Sequence, residues 1–220
     1  MKTNTIELYI HIPFCKSKCR YCDFCSFRAE EGTIHAYLGK LKEELIFWGK
    51  KLAARDVVTV FIGGGTPSYL RREDIQMICE TIFEHFHICE DAEITIEANP
   101  GTVDLKKLCT YRENGINRIS FGLQSTVKEE VEYLGRSHTY EEFLQSFEWA
   151  RQAGFLNINV DLMSAVPKQT LTSYEEKLRK IAKRAPEHIS AYGLIIEEGT
   201  PFYEDNKLEG LLPSEEDEVL

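Results

Sequence analysis

The sequence predicts an α/β fold in which a single sheet of parallel strands has helices between its strands. Six short segments are rich in apolar and β-branched residues and have the length of a strand. Longer amphipathic segments separate them, so strand and helix alternate along the chain. Strands joined through helices pair in parallel by right-handed crossovers. This pattern leaves two architectures, an open doubly wound sheet or a partial (β/α) barrel.

The predicted elements follow one another in a regular order. The first strand, over residues 8–12, leads directly into a loop that holds four of the seven cysteines. A helix follows over 33–53, where apolar residues recur every three or four positions and so share one face. These residues are Tyr37, Leu41, Leu45, Trp48 and Leu52. The remaining strands are predicted over 57–62, 93–97, 118–123, 157–163 and 188–196. The remaining helices are predicted over 73–86, 104–114, 128–134, 141–153 and 171–184.

Length and charge exclude several classes of protein. The 220 residues suffice for one domain with a sizeable core. The formal net charge of −10 argues against nucleic acid as a ligand, since a phosphate backbone requires a basic surface. Residues 1–5 leave no room for a signal peptide, and no apolar run reaches the ~18 residues that span a bilayer. We therefore expect a soluble cytoplasmic protein without a membrane span, whose clustered thiols bind metal or act in catalysis.

The cysteine-rich loop places Cys15, Cys19, Cys22 and Cys25 close together in the chain. Ligands three or four residues apart can converge on one metal centre. Four thiolates would close a tetrahedral zinc site, whereas three would bind a four-iron cluster and leave one iron open. The C-x3-C-x2-C spacing favours the cluster, with zinc as the alternative.

The motif Y-I-H-I-P-F-C-K-S-K-C-R-Y-C resembles the cluster loop of the radical S-adenosylmethionine (SAM) superfamily. Other segments resemble its HemN/HemW lineage, which comprises oxygen-independent coproporphyrinogen III oxidases and haem chaperones. The resemblance implies a 4Fe–4S cluster on Cys15, Cys19 and Cys22, with SAM at the open iron and Cys25 outside the ligand set. It also implies the barrel, because radical SAM cores are typically partial (β/α)6 TIM-like barrels.

Two features bring the resemblance nearer to the chaperone branch. The oxidases have a further cysteine shortly after the third ligand, whereas Asp23 and Phe24 follow Cys22 here. Only 14 residues precede Cys15, whereas the oxidases have a longer N-terminal extension that helps to hold a second SAM. The resemblance thus implies a haem chaperone that binds SAM, with haem as a candidate ligand. The alternatives are an oxidase that decarboxylates a porphyrinogen in porphyrin biosynthesis, and a zinc-stabilised binding module that uses all four cysteines.

Five strands in succession have polar or backbone-exposing residues at or near their carboxyl ends. In a parallel barrel all carboxyl ends of the strands lie on one face, so these groups should meet the cysteine loop around one opening. A single residue of this kind often only caps the next helix, but five in succession indicate a binding site. They are the G-G-G-T-P motif at 63–67, Glu97 with Asn99, Gln124, Asp161 and Tyr192.

The resemblance assigns most of these residues to SAM. Gly64, Gly65 and Thr66 match a motif that contacts the methionine part of SAM. Glu97, within T-I-E-A-N-P-G, corresponds to a ribose-contacting carboxylate. A carboxylate in an apolar run needs hydrogen-bond donors, and a ribose diol supplies two. The other positions that match SAM contacts are Tyr9, Tyr21, Gln124, Arg136 and Asp161.

Several further histidines and cysteines are expected to be structural. His11 lies inside the first strand, where a hydrogen-bonded histidine would shape the cysteine loop. His138 is expected to be structural as well. Cys79, Cys89 and Cys109 fall in or beside predicted helices and are expected to be packing thiols.

The cysteine loop is locally basic in an otherwise acidic chain. Its cationic residues are Lys16, Lys18, Arg20 and Arg28. This charge would suit an acidic electron donor of the flavodoxin or ferredoxin type, and a solvated loop is the alternative.

The last residues have the pattern of a helix start, with Ser214 as N-cap and acidic residues in the first turn. In the resembling families this helix closes the core and is followed by a C-terminal region with an H-N-x-x-Y-W motif. We therefore expect residues 1–220 to form a radical SAM core domain that is truncated within its last helix and lacks the C-terminal HemW-type domain.

Overall fold

The computed structural model describes residues 4–205, 208 and 210–213. Within these residues six strands alternate with helices. The strands are β1 (Thr5–Ile12), β2 (Asp56–Gly64), β3 (His87–Ala98), β4 (Arg118–Gln124), β5 (Asn157–Ser164) and β6 (His188–Gly193). The helices are α1 (Glu31–Lys51), α2 (Arg72–His85), α3 (Leu105–Glu113), α4 (Lys128–Tyr133), α5 (Tyr140–Gln152) and α6 (Leu171–Ala182), and a short 3-10 helix spans Pro67–Tyr69.

The six strands form a single sheet in the order β1-β2-β3-β4-β5-β6, and all neighbours are parallel. A doubly wound sheet reverses its strand order at a switch point. Here the spatial order follows the chain order throughout, as it does around a (β/α) barrel. β1 and β6 are the two edges of this sheet, so the barrel is partial, and the predicted fold class is confirmed.

Three strand boundaries differ by three residues or more from those predicted, and the first is the start of β1, which lies at Thr5 rather than at residue 8. β3 begins at His87 rather than at residue 93, because the start of this strand already pairs with Asp56 of β2. A register shift further along the pair absorbs the extra residues of β3. β6 ends at Gly193 rather than at residue 196, since its pairing with β5 ends at Ser164.

Helix α1 packs against α2 through a glycine. Leu45 is buried as the helical pattern predicts, but Trp48 is 44 % exposed and its ring contacts Phe47 instead of the core. Gly49 occupies the contact with α2, where a Cβ atom would lie 2.6 Å from the Cβ of His85. The close approach at Gly49 leaves the bulky indole of Trp48 at the surface.

The three cysteines outside the loop lie in regular structure. Cys79 is buried in α2, where burial raises the pKa of its thiol to about 12, so it is a packing thiol as predicted. Cys109 is half-buried in α3. Cys89 lies in β3 rather than in or beside a helix, because that strand begins earlier than predicted.

A buried ion pair joins α4 to α6. Lys177 Nζ lies 2.7 Å from Glu130 Oε2 and also donates to the carbonyl oxygen of Met163 in β5. The Ser125 hydroxyl and the Gln169 amide donate to the same carboxylate oxygen. Burial lowers the pKa of Lys177, and the pairing with Glu130 opposes this shift. Neither charged group is solvated, so each depends on its protein partners.

The chain after β6 returns to the cysteine loop. Phe202 is buried with Leu134, Met163 and Val166 in a second apolar cluster. The helix predicted to begin at Ser214 lies outside the described residues. Within the described part of the chain, no helix has both the length and the apolar character to cross a membrane.

Candidate functional site

A cavity of about 510 Å³ opens at the carboxyl ends of the strands. Each of the five strand ends singled out in the sequence contributes to its wall, together with the cysteine loop that follows β1. The lining from the loop includes Cys15, Cys19, Tyr21, Cys22 and Phe24. The lining from the strands includes Gly64, Gly65, Thr66, Glu97, Asn99, Ser120, Gly122, Gln124, Asn159, Asp161, Ser190 and Tyr192, and Arg136 adds to it from the segment after α4. The predicted convergence of these groups is therefore present in the fold.

The cysteine loop is closed by the backbone on either side of it. The N–H of Cys15 donates to the carbonyl oxygen of Phe27 (3.0 Å), and the N–H of Phe27 donates to that of Pro13 (2.8 Å). Residues 14 and 27 form an isolated bridge, so the cysteines lie on the arch between them.

Three of the four loop cysteines face the cavity. Cys15, Cys19 and Cys22 line it, and Cys15 is buried. Cys25 is exposed and lies outside this lining. Its carbonyl oxygen accepts a hydrogen bond of 2.9 Å from His11 Nε2, so His11 shapes the loop as the sequence predicts. The three cavity-facing thiols are the ones that the motif singles out.

Arg20 fastens the loop to the rest of the chain. Its guanidinium pairs with Asp205 at 2.7 Å and lies over the rings of Tyr133 and Phe202, 5.2 and 4.9 Å from their centroids. Its backbone N–H also donates to the carbonyl oxygen of Leu134. Arg20 therefore has an internal structural role.

The glycine motif brings the end of β2 against the cysteine loop. At Gly65 a Cβ atom would lie 2.9 Å from the carbonyl oxygen of Phe14 and 3.0 Å from Cys15 Sγ. Gly64 has a φ of +115°, which favours glycine, and a Cβ atom there would lie 2.6 Å from the imidazole of His11. Only residues without a side chain allow this strand end to approach the loop so closely.

Two carboxylates, Glu97 from β3 and Asp161 from β5, also line the cavity. Glu97 Oε2 accepts a hydrogen bond of 3.0 Å from the backbone N–H of Gly64. Burial raises the pKa of Glu97 to about 7, the Gly64 hydrogen bond opposes the shift, and Asp161 adds to it. Burial also raises the pKa of Asp161, against hydrogen bonds from Asn159 and Ser120. The cavity thus holds two partly desolvated carboxyl groups with room for a hydrogen-bonding ligand.

Arg136 connects several parts of the wall. Nη1 donates to the Tyr21 hydroxyl (3.1 Å) and lies 3.8 Å from Cys19 Sγ. Nη2 donates to the Gly122 carbonyl oxygen (2.6 Å) and to Asn99 Oδ1. Among the described residues Nε is buried without a hydrogen-bond partner. A buried, unpaired N–H group beside the cavity can donate to a ligand.

Gln124 reaches the cavity through an irregular strand end. Its φ of +67° is left-handed, and a register shift separates it from Gly122 in the pairing with β5. The Tyr192 hydroxyl donates to Gln124 Oε1 at 2.8 Å. His138 Nε2 donates to the carbonyl oxygen of Leu123 at 3.0 Å and is therefore structural, as predicted.

Tyr9 is the one predicted SAM contact that lies apart from the cavity wall. Its side chain is 59 % exposed, and its hydroxyl forms a hydrogen bond of 3.0 Å with His11 Nδ1. Its ring stacks on Phe61, which does line the cavity.

A polar network in the lining of the cavity was not predicted from the sequence. Asn159 Nδ2 donates to Ser120 Oγ and to Asp161 Oδ1, both at 2.7 Å, and Ser190 donates to Asn159 Oδ1 at 3.1 Å. These residues are polar positions within otherwise apolar strands. That pattern was the available signal, because a buried polar side chain requires hydrogen-bond partners.

Comparison with known proteins accounts for this site. Residues 9–190 match the radical SAM superfamily, and the chain belongs to that superfamily, whose members bind a 4Fe–4S cluster and SAM. Among curated relatives, the chain is similar to the haem chaperone HemW of Bacillus subtilis, with 39 % identity over 196 residues that cover 89 % of this chain and 52 % of the relative. It is also 32 % identical to the mouse mitochondrial radical S-adenosyl methionine domain-containing protein 1, covering 94 % of this chain and 47 % of that protein.

A solved structure gives the same result for the fold. The coproporphyrinogen III oxidase HemN of Escherichia coli superposes with a TM-score of 0.90 at 30 % identity, covering 99 % of this chain and 50 % of that one. The chain spans about half the length of the curated relatives it matches.

The residues present fit the cofactors of the superfamily. In the described ranges, no three His, Cys, Asp or Glu side chains are placed to share one metal ion. A four-iron cluster does not require this, since each thiolate binds a different iron. The three cavity-facing thiols match the donor chemistry of such a cluster, and the unpaired Arg136 Nε offers a donor to an anionic ligand such as an amino-acid carboxylate.

Proposed function

We propose that this chain is the SAM-binding core of a haem chaperone, with Cys15, Cys19 and Cys22 as the ligands of its cluster. One observation carries the proposal, namely that these three cysteines line the large cavity at the strand ends while Cys25 lies outside its lining. When bound, the cluster would supply an electron to the SAM sulfonium. The chain itself would bind and orient SAM and limit the access of water.

The wall of the cavity suggests how SAM would be oriented. Gly64 and Gly65 expose backbone next to Cys15, which suits the methionine part of SAM. Glu97 carries an acceptor that a ribose diol could satisfy, and Arg136 has a free N–H for the carboxylate. The remaining SAM contacts that we propose are Tyr9, Tyr21, Thr66, Gln124, Asp161 and Tyr192. Tyr9 would have to act from beside the cavity, through its contact with Phe61.

Haem as the ligand rests on the relatives and not on a haem-binding residue in the cavity. The HemW relative of Bacillus subtilis is named a haem chaperone and is 39 % identical. In this chain Asp23 follows the third motif cysteine, which favours the same branch. We propose haem binding in the cytoplasm as the role of the whole protein.

A second candidate function is oxygen-independent oxidation of coproporphyrinogen III. The TM-score of 0.90 with HemN favours it, since the same core is present in that oxidase. Detecting decarboxylated porphyrinogen after incubation with SAM and a reductant would support this candidate. Haem binding without such turnover would support the chaperone.

An acidic electron donor would approach the cysteine loop from outside the barrel. Lys16 and Arg28 are exposed there. Lys18 is tied to the carbonyl oxygens of Phe24 and Ser26, and Arg20 is paired internally. We therefore propose that the exposed side chains of Lys16 and Arg28 attract a flavodoxin- or ferredoxin-type donor by their positive charge.

The first test is anaerobic reconstitution with iron and sulfide, followed by electron paramagnetic resonance (EPR) of the reduced chain. We expect a four-iron signal that changes when SAM is added, because one iron would lack a cysteine ligand. Cys22→Ser should abolish the signal, and the matched control Cys25→Ser should retain it. Zinc without iron, or equal losses in both variants, would favour a four-cysteine zinc site instead.

The second test is a haem titration of the same reconstituted chain, followed by absorption spectroscopy. A saturable Soret shift supports haem binding by this core. A chain that carries a SAM-sensitive cluster and shows no saturable shift would contradict haem binding here while leaving the cofactor site intact.

A further inference from the structure

A chain of hydrogen bonds connects Cys15 to Cys19 along the wall of the cavity. The Thr66 hydroxyl donates to Cys15 Sγ (3.5 Å) and accepts a hydrogen bond from Asn99 Nδ2 (3.0 Å). On the other side, Arg136 Nη2 donates to Asn99 Oδ1, and Nη1 of the same guanidinium lies 3.8 Å from Cys19 Sγ. Each hydrogen bond in this chain pairs one N–H or O–H donor with one acceptor. At both ends the acceptor is a cysteine sulfur.

Asn99 is the centre of this chain because it uses both halves of its amide. Its nitrogen donates to Thr66 and its oxygen accepts from Arg136, and a carboxamide is the group that offers both functions at one position. The backbone of Asn99 is also held, since its N–H donates to Ser68 Oγ (3.1 Å) and its carbonyl oxygen accepts from the Thr102 hydroxyl (2.6 Å). Both the backbone and the side-chain amide of Asn99 are therefore held by hydrogen bonds within the ligand-free protein.

The neighbouring strand leaves space for the contact between Asn99 and Arg136. A Cβ atom at Gly122 would lie 2.9 Å from Asn99 Oδ1 and 3.1 Å from Arg136 Nη2. Any side chain at this position of β4 would therefore press on the two groups that meet there. The absence of a side chain at Gly122 is a second, independent sign that the geometry accommodates this pair.

We infer that Asn99 is a positioning residue that orients Thr66 and Arg136 as donors to the sulfurs of Cys15 and Cys19 and thereby raises the reduction potential of the cluster. The inference rests on the proposed function, because it takes both cysteines as cluster ligands. Hydrogen bonds to the cysteine sulfurs favour the more negative, reduced state of an iron–sulfur cluster. Asn99 touches neither sulfur and acts through its two neighbours.

The test is the midpoint potential of the reconstituted full chain, measured by EPR-monitored redox titration without SAM. Asn99→Leu should shift the midpoint to a more negative potential, because the amide that orients both donors is lost. Thr66→Val should shift it in the same direction through Cys15 alone. The double variant should shift it by less than the sum of the two, since both changes act on the same sulfur contact.

Asn159→Leu is the matched control. Asn159 lines the same cavity, but its amide nitrogen bonds to Ser120 and Asp161 and not to a partner of a cysteine. Its replacement should not move the midpoint to a more negative potential, because loss of its hydrogen bond favours the neutral form of Asp161, whereas a general loosening of the cavity would move both variants alike. Asn99→Ser, whose side chain is too short to reach Thr66 and Arg136 together, serves as a second variant.

The outcomes separate this inference from the proposed function. A wild-type chain without a SAM-sensitive four-iron signal overturns both. A wild-type chain with that signal, and Asn99 variants whose midpoint equals that of the wild type or of Asn159→Leu, overturns only the inference. Loss of the cluster in both Asn99 variants also overturns it, since Asn99 would then hold the cluster rather than adjust its potential.

Discussion

The carboxylate of Glu97 and the backbone N–H of Gly64 are joined by a hydrogen bond of 3.0 Å between the ends of two neighbouring strands. This single bond compensates the carboxylate only in part, because burial still raises the pKa of Glu97 to about 7, with a further contribution from Asp161. The ligand-free site therefore contains a carboxyl group that is harder to ionise than an exposed glutamate.

Glu97→Gln should make the ligand-free chain more stable at pH 8 than the wild type, by about 1 to 2 kcal/mol. The pKa of Glu97 is higher in the folded state than the ordinary value of 4.5. The folded state then binds more protons than the unfolded state between these values, so the free energy of unfolding falls as the pH rises from about 4.5 to about 7. Urea unfolding at pH 5 and pH 8 measures the difference.

Glu148→Gln, on the exposed side of α5, is the control for this comparison. It should leave the pH dependence of unfolding as in the wild type. Equal pH profiles for Glu97→Gln and the wild type would contradict the raised pKa of the Glu97 carboxyl group.

Gly65→Ala should lower the stability of the chain by about 1 to 3 kcal/mol and reduce the iron bound on reconstitution. The added Cβ atom would lie 2.9 Å from the Phe14 carbonyl oxygen and 3.0 Å from Cys15 Sγ, so backbone must move. Gly39→Ala is the control, because nothing lies within 4 Å of its Cβ position in α1 and alanine favours a helix by about 0.5 to 1 kcal/mol. Thermal unfolding should rank Gly39→Ala above the wild type and Gly65→Ala below it, and the reverse order would contradict the packing described.

Lys177→Met should destabilise the chain by about 3 to 5 kcal/mol, because it leaves the Glu130 carboxylate buried without its cation. Adding Glu130→Gln should recover much of this loss, since a neutral amide can still accept from Ser125 and Gln169. Urea unfolding of the two single variants and the double variant provides the thermodynamic cycle. Additive losses in the double variant would mean that the two groups are not coupled.

His138→Gln should make the chain less sensitive to acid. Burial, together with the charge of Arg136, lowers the pKa of His138 to about 4 from an ordinary value of 6.5. Only the unfolded state takes up this proton between these values, so the wild type loses stability as the pH falls from about 6.5 to about 4. Relative to its own value at pH 8, the variant should lose about 1 to 2 kcal/mol less than the wild type by pH 5. His35→Gln, on the exposed side of α1, should follow the wild-type profile, and a His138→Gln profile that does the same would refute the shift.

The sequence predicted the fold class and most of the cavity wall, because both depend on local patterns. The alternation of strand-like and helix-like segments predicts parallel strands. The carboxyl ends of parallel strands in a barrel lie on one face, so polar residues at these ends line the same opening. The choice between a barrel and a doubly wound sheet needed the family resemblance, and the strand order of the structure supports it independently.

The remaining features depend on contacts between distant parts of the chain. The helical pattern predicted that Trp48 is in the core. In the structure Gly49 makes the close contact with α2, and the neighbouring Trp48 is exposed. The pair of Lys177 and Glu130 spans 47 residues of sequence, and neither residue differs locally from the many exposed charges of this chain. The early start of β3 likewise depends on its partner strand.

The attachment of Arg20 to Asp205 has a consequence for biosynthesis. The two residues are 185 positions apart, so the cysteine loop leaves the ribosome well before Asp205, the partner of Arg20, has been synthesised. At ordinary elongation rates of about 5 to 20 residues per second the delay is roughly 10 to 40 s. During this interval the thiols are exposed to oxidants and other metal ions, because the cavity wall around them has not yet formed. We therefore expect iron and sulfide to be inserted after translation of the core is complete, and the nascent chain to depend on a reducing environment until then.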